Sequence, residues 1–121
     1  MPQVSILMPF KDTSAYLPEC LHSIGDQNFH SWELIAVDDH SSDTSLAILT
    51  EWAARDSRIR VYPNRGSGII CALKTGYAQS RGGLITRMDS DDRMAQGRLL
   101  EMVTQLEAAG PGHIALGLVQ Y

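Results

Sequence analysis

The sequence predicts an α/β fold, with an open and mostly parallel sheet that carries helices on both faces. Apolar runs of strand length alternate along the chain with segments whose apolar residues recur at helical spacing. Such alternation is typical of βαβ units, which place helices over a parallel sheet. The 121 residues, of which 44% are hydrophobic and 20% charged, match one globular domain, and no linker, repeat or low-complexity segment divides them.

The first strand and helix lie near the start of the chain. Residues 4–8 form a short apolar run that ends at Pro9, as expected of a strand. Ser14 is the predicted N-cap of the next helix, because a serine hydroxyl can accept a hydrogen bond from a free N–H of the first turn. The apolar face of this helix comprises Leu17, Leu21 and Ile24.

The second strand and helix follow a loop at residues 25–30. Residues 34–37 are continuously apolar and predict a strand. Polar residues 38–43 form the loop after it, in which Ser42 or Asp43 is the predicted cap of the second helix. The apolar stripe of that helix comprises Leu46, Leu49, Trp52 and Ala53.

The third unit has the same organisation. Residues 59–62 predict a short strand that Pro63 ends. A third helix opens after the loop at residues 65–68. The predicted buried side of this helix comprises Ile69, Ile70, Leu73 and Tyr77.

A fourth strand is expected over residues 84–88, directly before the acidic residues 89–92. A fourth helix is expected over residues 97–109, since the Gly-Pro-Gly sequence at 110–112 would stop it. Its predicted inner side comprises Leu99, Val103 and Leu106, and the apolar residues within 114–119 predict a last strand.

Composition argues against several functional classes. Fourteen acidic and ten basic residues give a net charge of −4, whereas a general nucleic-acid binder needs a basic face. No apolar run approaches the roughly 20 residues that a membrane span needs. Two cysteines, Cys20 and Cys71, do not make a disulfide framework and are predicted to be core thiols, which favours a reducing, hence cytoplasmic, compartment.

Polar loops follow the first, second and fourth predicted strands. In an open parallel sheet, ligands bind beyond the carboxyl ends of the strands. Residues 9–12, 38–41 and 89–92 occupy those positions. If the three strands are neighbours, their acidic loops share one edge, and a cation or hydrogen-bond donors must offset the repulsion between the carboxylates.

The sharpest signal is the acidic cluster at residues 89–92. Its three carboxylates follow a strand directly and suit a hard divalent cation such as Mg²⁺ or Mn²⁺. Mg²⁺ typically takes one or two carboxylates and completes its shell with water and phosphate oxygens, so the cluster predicts a site for a metal–diphosphate. The alternative interpretation is a solvated acidic turn that caps the next helix.

Further candidates lie in the second loop and the third helix. Asp38 and Asp39 end the second strand, where a carboxylate can accept hydrogen bonds from a ribose or a base imide; helix capping is the alternative. Lys74 either reaches a phosphate or lies on a solvated helix face. Arg87 is expected to pair with a carboxylate of the acidic cluster; the alternative is that it faces the ligand.

In order and spacing, these motifs resemble family 2 glycosyltransferases, which have the GT-A fold. Residues 4–12 are similar to the family's opening strand, and residues 34–43 to its second strand with the acidic nucleotide-binding loop. Residues 68–76 are similar to its third helix. Residues 84–92 resemble its strand and DxD metal motif, and the last helix also matches, so the resemblance spans essentially the whole chain.

The resemblance implies a nucleotide-sugar donor, most often a UDP-sugar. The residues that it assigns to the nucleotide are Pro9, Phe10, Asp12, Asp39, Lys74 and Asp89. Asp91, together with Asp89, would hold Mg²⁺ or Mn²⁺ against the diphosphate. The implied reaction is a displacement at the anomeric carbon with inversion, in which the metal stabilises the leaving diphosphate and a carboxylate base helps the hydroxyl of a saccharide or lipid-linked acceptor to attack.

Members of this family usually continue well beyond the length of this chain. Residues 1–121 are therefore expected to form a single nucleotide-sugar-binding domain, truncated before the acceptor-binding half, with the catalytic base beyond Tyr121. Removal of that half would expose an apolar face, which predicts a homo-oligomer. The resemblance also implies polysaccharide biosynthesis in the cytoplasm, at the inner face of the cell membrane.

Three other functions stay open. A receiver-like signalling domain fits the length, but it needs an acid pair after the first strand and a late lysine, and Lys74 is the last lysine here. A nucleotidyltransferase needs a glycine-rich basic signature near the first strand, which residues 9–12 do not supply. A non-catalytic nucleotide-sugar sensor would keep Asp39, Asp89 and Asp91.

Overall fold

The computed structural model describes residues 2–109. Their elements are, in chain order, β1 (Val4–Phe10), α1 (Leu17–Gly25), β2 (Trp32–Asp38), α2 (Ser45–Arg55), β3 (Ile59–Pro63), α3 (Ile69–Ala78), β4 (Leu84–Arg87) and α4 (Arg98–Ala109). The four strands pair in parallel in the order β3-β2-β1-β4. The predicted α/β class is confirmed, while the last strand predicted within residues 114–119 lies outside the described residues.

The strand order places β1 between β2 and β4. In the flavodoxin-like order typical of receiver domains, the first strand instead lies between the second and third. The observed order therefore contradicts the receiver alternative. It matches the start of the dinucleotide-binding order, in which the chain winds away from β1 in two directions. The switch point between these directions lies at β1 and β4.

Most of the core lies on one face of the sheet, beneath α1, α2 and α4. Alternate side chains of each strand point to this face because strand side chains alternate between the two sides. The buried residues of this cluster include Ile6, Met8, Phe10, Leu17, Ile24, Leu34, Leu49, Leu99 and Val103. Full burial of each large side chain contributes about 1.5–3 kcal/mol, so this cluster anchors the strands that present the polar loops.

Helix α3 covers the opposite face with a different side from the predicted one. Its buried residues are Ala72, Thr75 and Gly76, whereas Ile69, Ile70 and Tyr77 are exposed and Leu73 is half-buried. Small side chains let the helix approach the sheet closely. A Cβ added to Gly76 would lie 3.4 Å from Val37 Cγ2 and 3.5 Å from Leu7 Cδ2. Close backbone packing thus decides which side of this largely apolar helix is buried.

The start of α1 also differs from the prediction. Ser14 is not the N-cap; Tyr16 occupies that position and forms no side-chain capping bond. The Thr13 carbonyl accepts hydrogen bonds from the N–H groups of Tyr16 (2.9 Å) and Leu17 (3.0 Å), so a turn occupies the place of the predicted first turn. Pro18 suits the first turn of the helix, where an N–H would have no intrahelical partner.

The remaining differences concern the ends of elements and single positions on helices. In α2, Leu49 is buried as predicted and Trp52 and Ala53 are half-buried, but Leu46 is exposed, because it lies in the first turn on the side away from the core. β1 and β2 each extend to seven residues and include the Pro9 and Asp38 positions that were expected in loops. In α4, Leu99 and Val103 are buried as predicted, but Leu106 is half-buried. None of the helices in the described part of the chain is long and apolar enough to cross a membrane.

Candidate functional site

The carboxyl ends of β2, β1 and β4 lie side by side, so the three predicted polar loops share one edge of the sheet. Backbone hydrogen bonds between neighbouring segments continue past the ends of the strands, so the loops lie in the same order as the strands. The Phe10 carbonyl accepts the Asp39 N–H and the Leu7 carbonyl accepts the Met88 N–H, both at 2.9 Å. The switch point between β1 and β4, where doubly wound sheets bind ligands, opens at this edge. We call residues 11–13, 38–43 and 88–92 the acidic edge.

Asp12 joins the loop after β1 to the loop after β2. Its backbone lies in the left-handed region, with φ at 53°, which aspartate tolerates better than most residues. Its Oδ1 accepts hydrogen bonds from the backbone N–H groups of Ser42 (2.7 Å) and Asp43 (3.2 Å). The structure thus brings Asp12 to the acidic edge but commits one carboxylate oxygen to holding the neighbouring loop.

Asp43, one of the two predicted caps, fixes the start of α2. Its Oδ1 accepts the Ser45 N–H at 2.9 Å, and its Oδ2 accepts the Ser14 N–H at 3.1 Å. Hydrogen bonds from the Ser45 side chain and backbone and from Ser14 hold the pKa of Asp43 well below its ordinary value. Thr44 is the N-cap residue by position but forms no side-chain capping bond. Both oxygens of this carboxylate are used to hold the loop after β1 and the start of α2, so Asp43 has a structural role and is not a candidate ligand-binding group.

Asp39 is held between β3 and the start of α3. Its Oδ1 accepts hydrogen bonds from Asn64 Nδ2 (2.9 Å) and from the Gly68 N–H (3.1 Å). The pKa of Asp39 is lowered, chiefly by the Asn64 side chain and further by the Gly68 N–H and the nearby Lys11 charge. The group is therefore an ionised acceptor at neutral pH, with Oδ2 free of protein hydrogen bonds in the described region.

The acidic cluster forms a turn that begins where β4 ends. The Asp92 N–H donates to the Asp89 carbonyl at 3.1 Å. Arg87 pairs with Asp89, with 3.1 Å between Nη2 and Oδ1, which confirms the predicted ion pair. Ser90 is buried and accepts a hydrogen bond from the Thr13 hydroxyl at 2.9 Å. Asp91 is exposed, and among the described residues its carboxylate makes no hydrogen bond or ion pair.

The negative charge of this cluster affects the pKa of a buried thiol, that of Cys20. Burial, followed by the charges of Asp92, Asp91 and Asp89, raises the pKa of Cys20 to about 12. The thiol is 3.8 Å from the Asp89 carbonyl and stays protonated. Cys20 is thus the core thiol that was predicted, while Cys71 is half-buried; both cysteines are free.

The carboxylates of the acidic edge suit a hard cation whose remaining ligands are water or phosphate oxygens. Within residues 2–109, no three histidine, cysteine, aspartate or glutamate side chains converge as a complete metal site. Mg²⁺ and Mn²⁺ accept one or two carboxylates together with water and phosphate oxygens. Two groups match that requirement. Asp91 is exposed and unpaired among these residues, and Asp89 has a second oxygen, Oδ2, that does not take part in the ion pair with Arg87.

The other predicted nucleotide-binding residues differ in their surroundings. Phe10 is 2% exposed and belongs to the large core cluster, so only its backbone can border a ligand. Pro9 is half-buried on β1. Lys74 is exposed on α3 and forms no ion pair in the described part of the chain. Of this group, the structure gives direct contacts at the acidic edge only to the Phe10 backbone.

Sequence reasoning missed two supports of the site. Asn64 is buried and holds Asp39, and the Thr13 hydroxyl joins the first loop to the acidic cluster. Asn64 follows β3 directly, so extending the strand-end argument to the third strand would have found it. The bond between Thr13 and Ser90 joins residues 77 positions apart and left no local signal.

The parallel sheet and its helices have the GT-A fold. The fold is similar to that of residues 1–349 of TarS from S. aureus, solved with UDP, with a TM-score of 0.80, 23% identity, and coverage of 89% of this chain and 32% of that chain. It is equally similar to the mannosyltransferase PcManGT from Pyrobaculum calidifontis, solved with GDP-Man and Mn²⁺, with a TM-score of 0.81, 22% identity and coverage of 91% and 33%.

The sequence then identifies the family. The chain belongs to glycosyl transferase family 2, whose model matches residues 5–121. It is 32% identical over 107 residues to the uncharacterised glycosyltransferase EpsJ of Bacillus subtilis (strain 168), a match that covers 88% of this chain and 31% of that protein. The predicted family and its classification among enzymes are confirmed. The match spans only 31–40% of the length of three of its curated relatives.

Proposed function

We propose that this chain is the donor-binding part of an inverting, metal-assisted glycosyltransferase. Its donor is a nucleotide-sugar, with UDP-sugars as the first choice, and its acceptor is a hydroxyl of a saccharide or of a lipid-linked acceptor. The observation that carries the proposal is that Asp39 follows β2 and Asp89 and Asp91 follow β4, on either side of β1, so that all three lie at one edge of the parallel sheet. TarS and PcManGT, which share the fold, were solved with a nucleotide or nucleotide-sugar.

Asp39 is the proposed recognition group for the base. Its lowered pKa keeps it ionised, so it acts only as an acceptor, as the imide N–H of a uracil requires. Asn64 and Gly68 use one carboxylate oxygen and hold the group in place. The other oxygen is then available to the base without a change of side-chain position. Pro9, Lys74 and the Phe10 backbone remain predicted neighbours of the nucleotide.

Asp91 and Asp89 are the proposed ligands of Mg²⁺ or Mn²⁺. When bound, the cation supplies Lewis-acid stabilisation of the leaving diphosphate. Asp91 is free for this role, whereas Asp89 must share its charge with Arg87. The buried Ser90 and its hydrogen bond to Thr13 hold the cluster beside the loop after β1. This support limits the movement of both carboxylates relative to the donor.

The transfer step needs groups beyond this donor site. An acceptor hydroxyl that attacks the anomeric carbon opposite the diphosphate inverts that centre, and a carboxylate base takes its proton. We assign no described residue to that base. Cytoplasmic location at the inner membrane face and a homo-oligomeric state are likewise proposals. For the latter, the exposed Ile69, Ile70 and Tyr77 on α3 offer an apolar surface, and sedimentation velocity would test it.

Calorimetric titration of UDP into the full chain tests the donor site, first with Mn²⁺ and then with a chelator. We expect binding that requires the metal. Asp91→Asn keeps the size of the side chain but removes the charge, and should weaken metal-dependent binding by about tenfold or more, since a direct charged ligand is lost. Asp92→Asn is the matched control, because it makes the same change in the same turn.

Binding of UDP that is equal with and without metal would contradict the metal assignment. Equal losses in Asp91→Asn and Asp92→Asn would show a diffuse effect of charge instead of a ligand role for Asp91. Asp39→Asn tests recognition of the base separately from binding of the metal and the diphosphate. It should weaken UDP and leave Mn²⁺-dependent binding of inorganic diphosphate unchanged, because Asp39 faces the base and not the phosphates.

A further inference from the structure

A cavity lies at the end of the sheet opposite the acidic edge, at the amino ends of the strands. It has a volume of about 280 Å³ and is lined in part by His30, Trp32, Glu33, Arg58, Arg60 and Arg81. We call it the basic pocket. Trp32 opens β2, and Arg58 and Arg81 precede β3 and β4, so none of these residues belongs to the acidic edge. The pocket is therefore independent of the proposed donor site.

Glu33 organises the inner wall of the basic pocket. It is 4% exposed and accepts hydrogen bonds from the Ser5 hydroxyl and the Arg81 N–H, both at 2.6 Å, and from the Arg60 guanidinium. Arg60 also donates to the Gln79 carbonyl at 2.9 Å. This network fixes the backbone of Arg81 and the side chain of Arg60. The positions of two of the three arginines are thus set by buried contacts.

Arg58 and Trp32 form the other wall. The Arg58 guanidinium lies over the Trp32 ring, 3.9 Å from its centroid, and forms a two-point ion pair with Asp56 at 2.8 and 3.1 Å. Trp32 is 2% exposed, and its Nε1–H has no hydrogen-bond partner in the described part of the chain. A buried N–H donor without a partner is costly, so this wall holds an unused donor beside a fixed cation.

The charges of the basic pocket do not balance. Three arginines line the pocket, but only two of them have a carboxylate partner: Arg60 pairs with Glu33, and Arg58 pairs with Asp56, which lies outside the lining. Arg81 accounts for the excess, because its exposed side chain makes no ion pair or hydrogen bond among the described residues. Arg58 and Arg60 each keep N–H donors beyond those already used, since a guanidinium has five. An unpaired guanidinium and several free N–H donors are the groups that bind an anion.

From this geometry we infer that the basic pocket binds a phosphoryl group, as free diphosphate, a phosphomonoester or a phospholipid headgroup. Arginine forks match phosphate oxygens in paired hydrogen bonds, and three arginines that line one cavity favour a multiply charged anion over a single carboxylate. The volume lies below the roughly 300–1,000 Å³ of pockets for drug-sized ligands, which favours a compact anion over a whole nucleotide-sugar. Arg81 is the main ligand, and Arg58 and Arg60 complete the site.

Nuclear magnetic resonance of the two tryptophan indole N–H groups provides the test. Inorganic diphosphate is titrated into the full chain without divalent cations. The Trp32 signal should shift, because its ring lies under Arg58, while the signal of Trp52 on α2 serves as the internal control. Arg81→Gln should weaken binding by about tenfold or more through loss of charge-assisted bonds. Its fold should be retained, since only its backbone contacts Glu33.

Arg55→Gln is the matched control, because it removes the same charge from an exposed pair on α2 and should bind as the parent does. Asp91→Asn should leave the shift of Trp32 unchanged, which separates this pocket from the proposed donor site. A titration with vesicles that contain phosphatidic acid, against phosphatidylcholine vesicles, distinguishes a lipid headgroup from a free phosphate. The inference is overturned if Trp32 does not respond to millimolar diphosphate, or if Arg81→Gln and Arg55→Gln weaken binding equally.

Discussion

The two ends of the sheet carry opposite charges but share one organisation. At the carboxyl ends, Asp12, Asp39 and Asp43 accept hydrogen bonds from neighbouring loops, while Asp91 has no partner among the described residues. At the amino ends, Glu33 and Arg60 pair in the interior while Arg81 is left over. In both places, carboxylates that accept hydrogen bonds position the backbone, and one exposed charge has no partner in the described region. Asp39 combines the two roles, because one oxygen holds the neighbouring loops and the other is proposed to bind the base.

The largest expected effect comes from breaking the inner charge at the amino ends. Glu33→Ala removes three hydrogen bonds and leaves the half-buried Arg60 without its carboxylate. Removing one member of a fully buried pair costs about 3–5 kcal/mol of the free energy of unfolding, and the partial exposure of Arg60 places this loss at the lower end of that range. Urea unfolding of the full chain measures this loss. Glu51→Ala, which breaks the exposed pair with Arg55, should cost less than about 1 kcal/mol. Similar losses in the two variants would show that Glu33 has no special structural role.

A smaller effect is expected from the inner contacts at the carboxyl ends. Asn64→Ala removes the main donor to Asp39 and one to the Gly68 carbonyl, at a cost of about 1–2 kcal/mol of unfolding free energy. It should also weaken metal-dependent UDP binding, because Asp39 loses its fixed position. Asn28→Ala is the control, since Asn28 is exposed. Unchanged stability together with unchanged UDP affinity would contradict the supporting role of Asn64.

The smallest effect is the dependence of stability on pH. The folded pKa of Asp43 lies below its unfolded value, so the stability that this group contributes is fully present above about pH 4 and is lost as the pH falls through the folded pKa. Thermal midpoints measured from neutral pH to about pH 3 should therefore fall. Asp43→Asn should show a weaker fall, because its side chain cannot titrate. If the thermal midpoints of the parent chain and of Asp43→Asn fell in parallel with pH, Asp43 would not contribute to the loss of stability in acid.

Glu33 extends the same pH comparison to the other end of the sheet. Burial alone raises its pKa, but the Ser5 hydroxyl, the Arg81 N–H and Arg60 together outweigh burial and leave the pKa lowered. Glu33 therefore also loses its contribution as the pH falls below the ordinary range of a carboxylate. Glu33→Gln and Asp43→Asn, compared in the same scan, show which end of the sheet dominates the loss of stability in acid.

Much of the candidate site could be predicted because strand ends have local signals. Residues 38–39 and 89–92 follow apolar runs directly, and the resemblance placed both in a known family. The buried side of α3 could not be predicted in this way. Ile69, Ile70 and Ala72 are all apolar, so hydropathy does not show which of them meets the sheet. The close approach at Gly76 decided that side, and closeness depends on two elements at once.

The sequence by itself determined the alternation of strands and helices and the acidic character of the strand ends, because both depend on neighbouring residues in the chain. Only the tertiary structure decided that β2, β1 and β4 are adjacent, so that these acids share one edge. It also paired Glu33 with the Arg81 backbone across 48 residues and left the Arg81 side chain over a basic pocket. Strand order and such distant contacts arise from packing across the whole sheet, which no local pattern encodes.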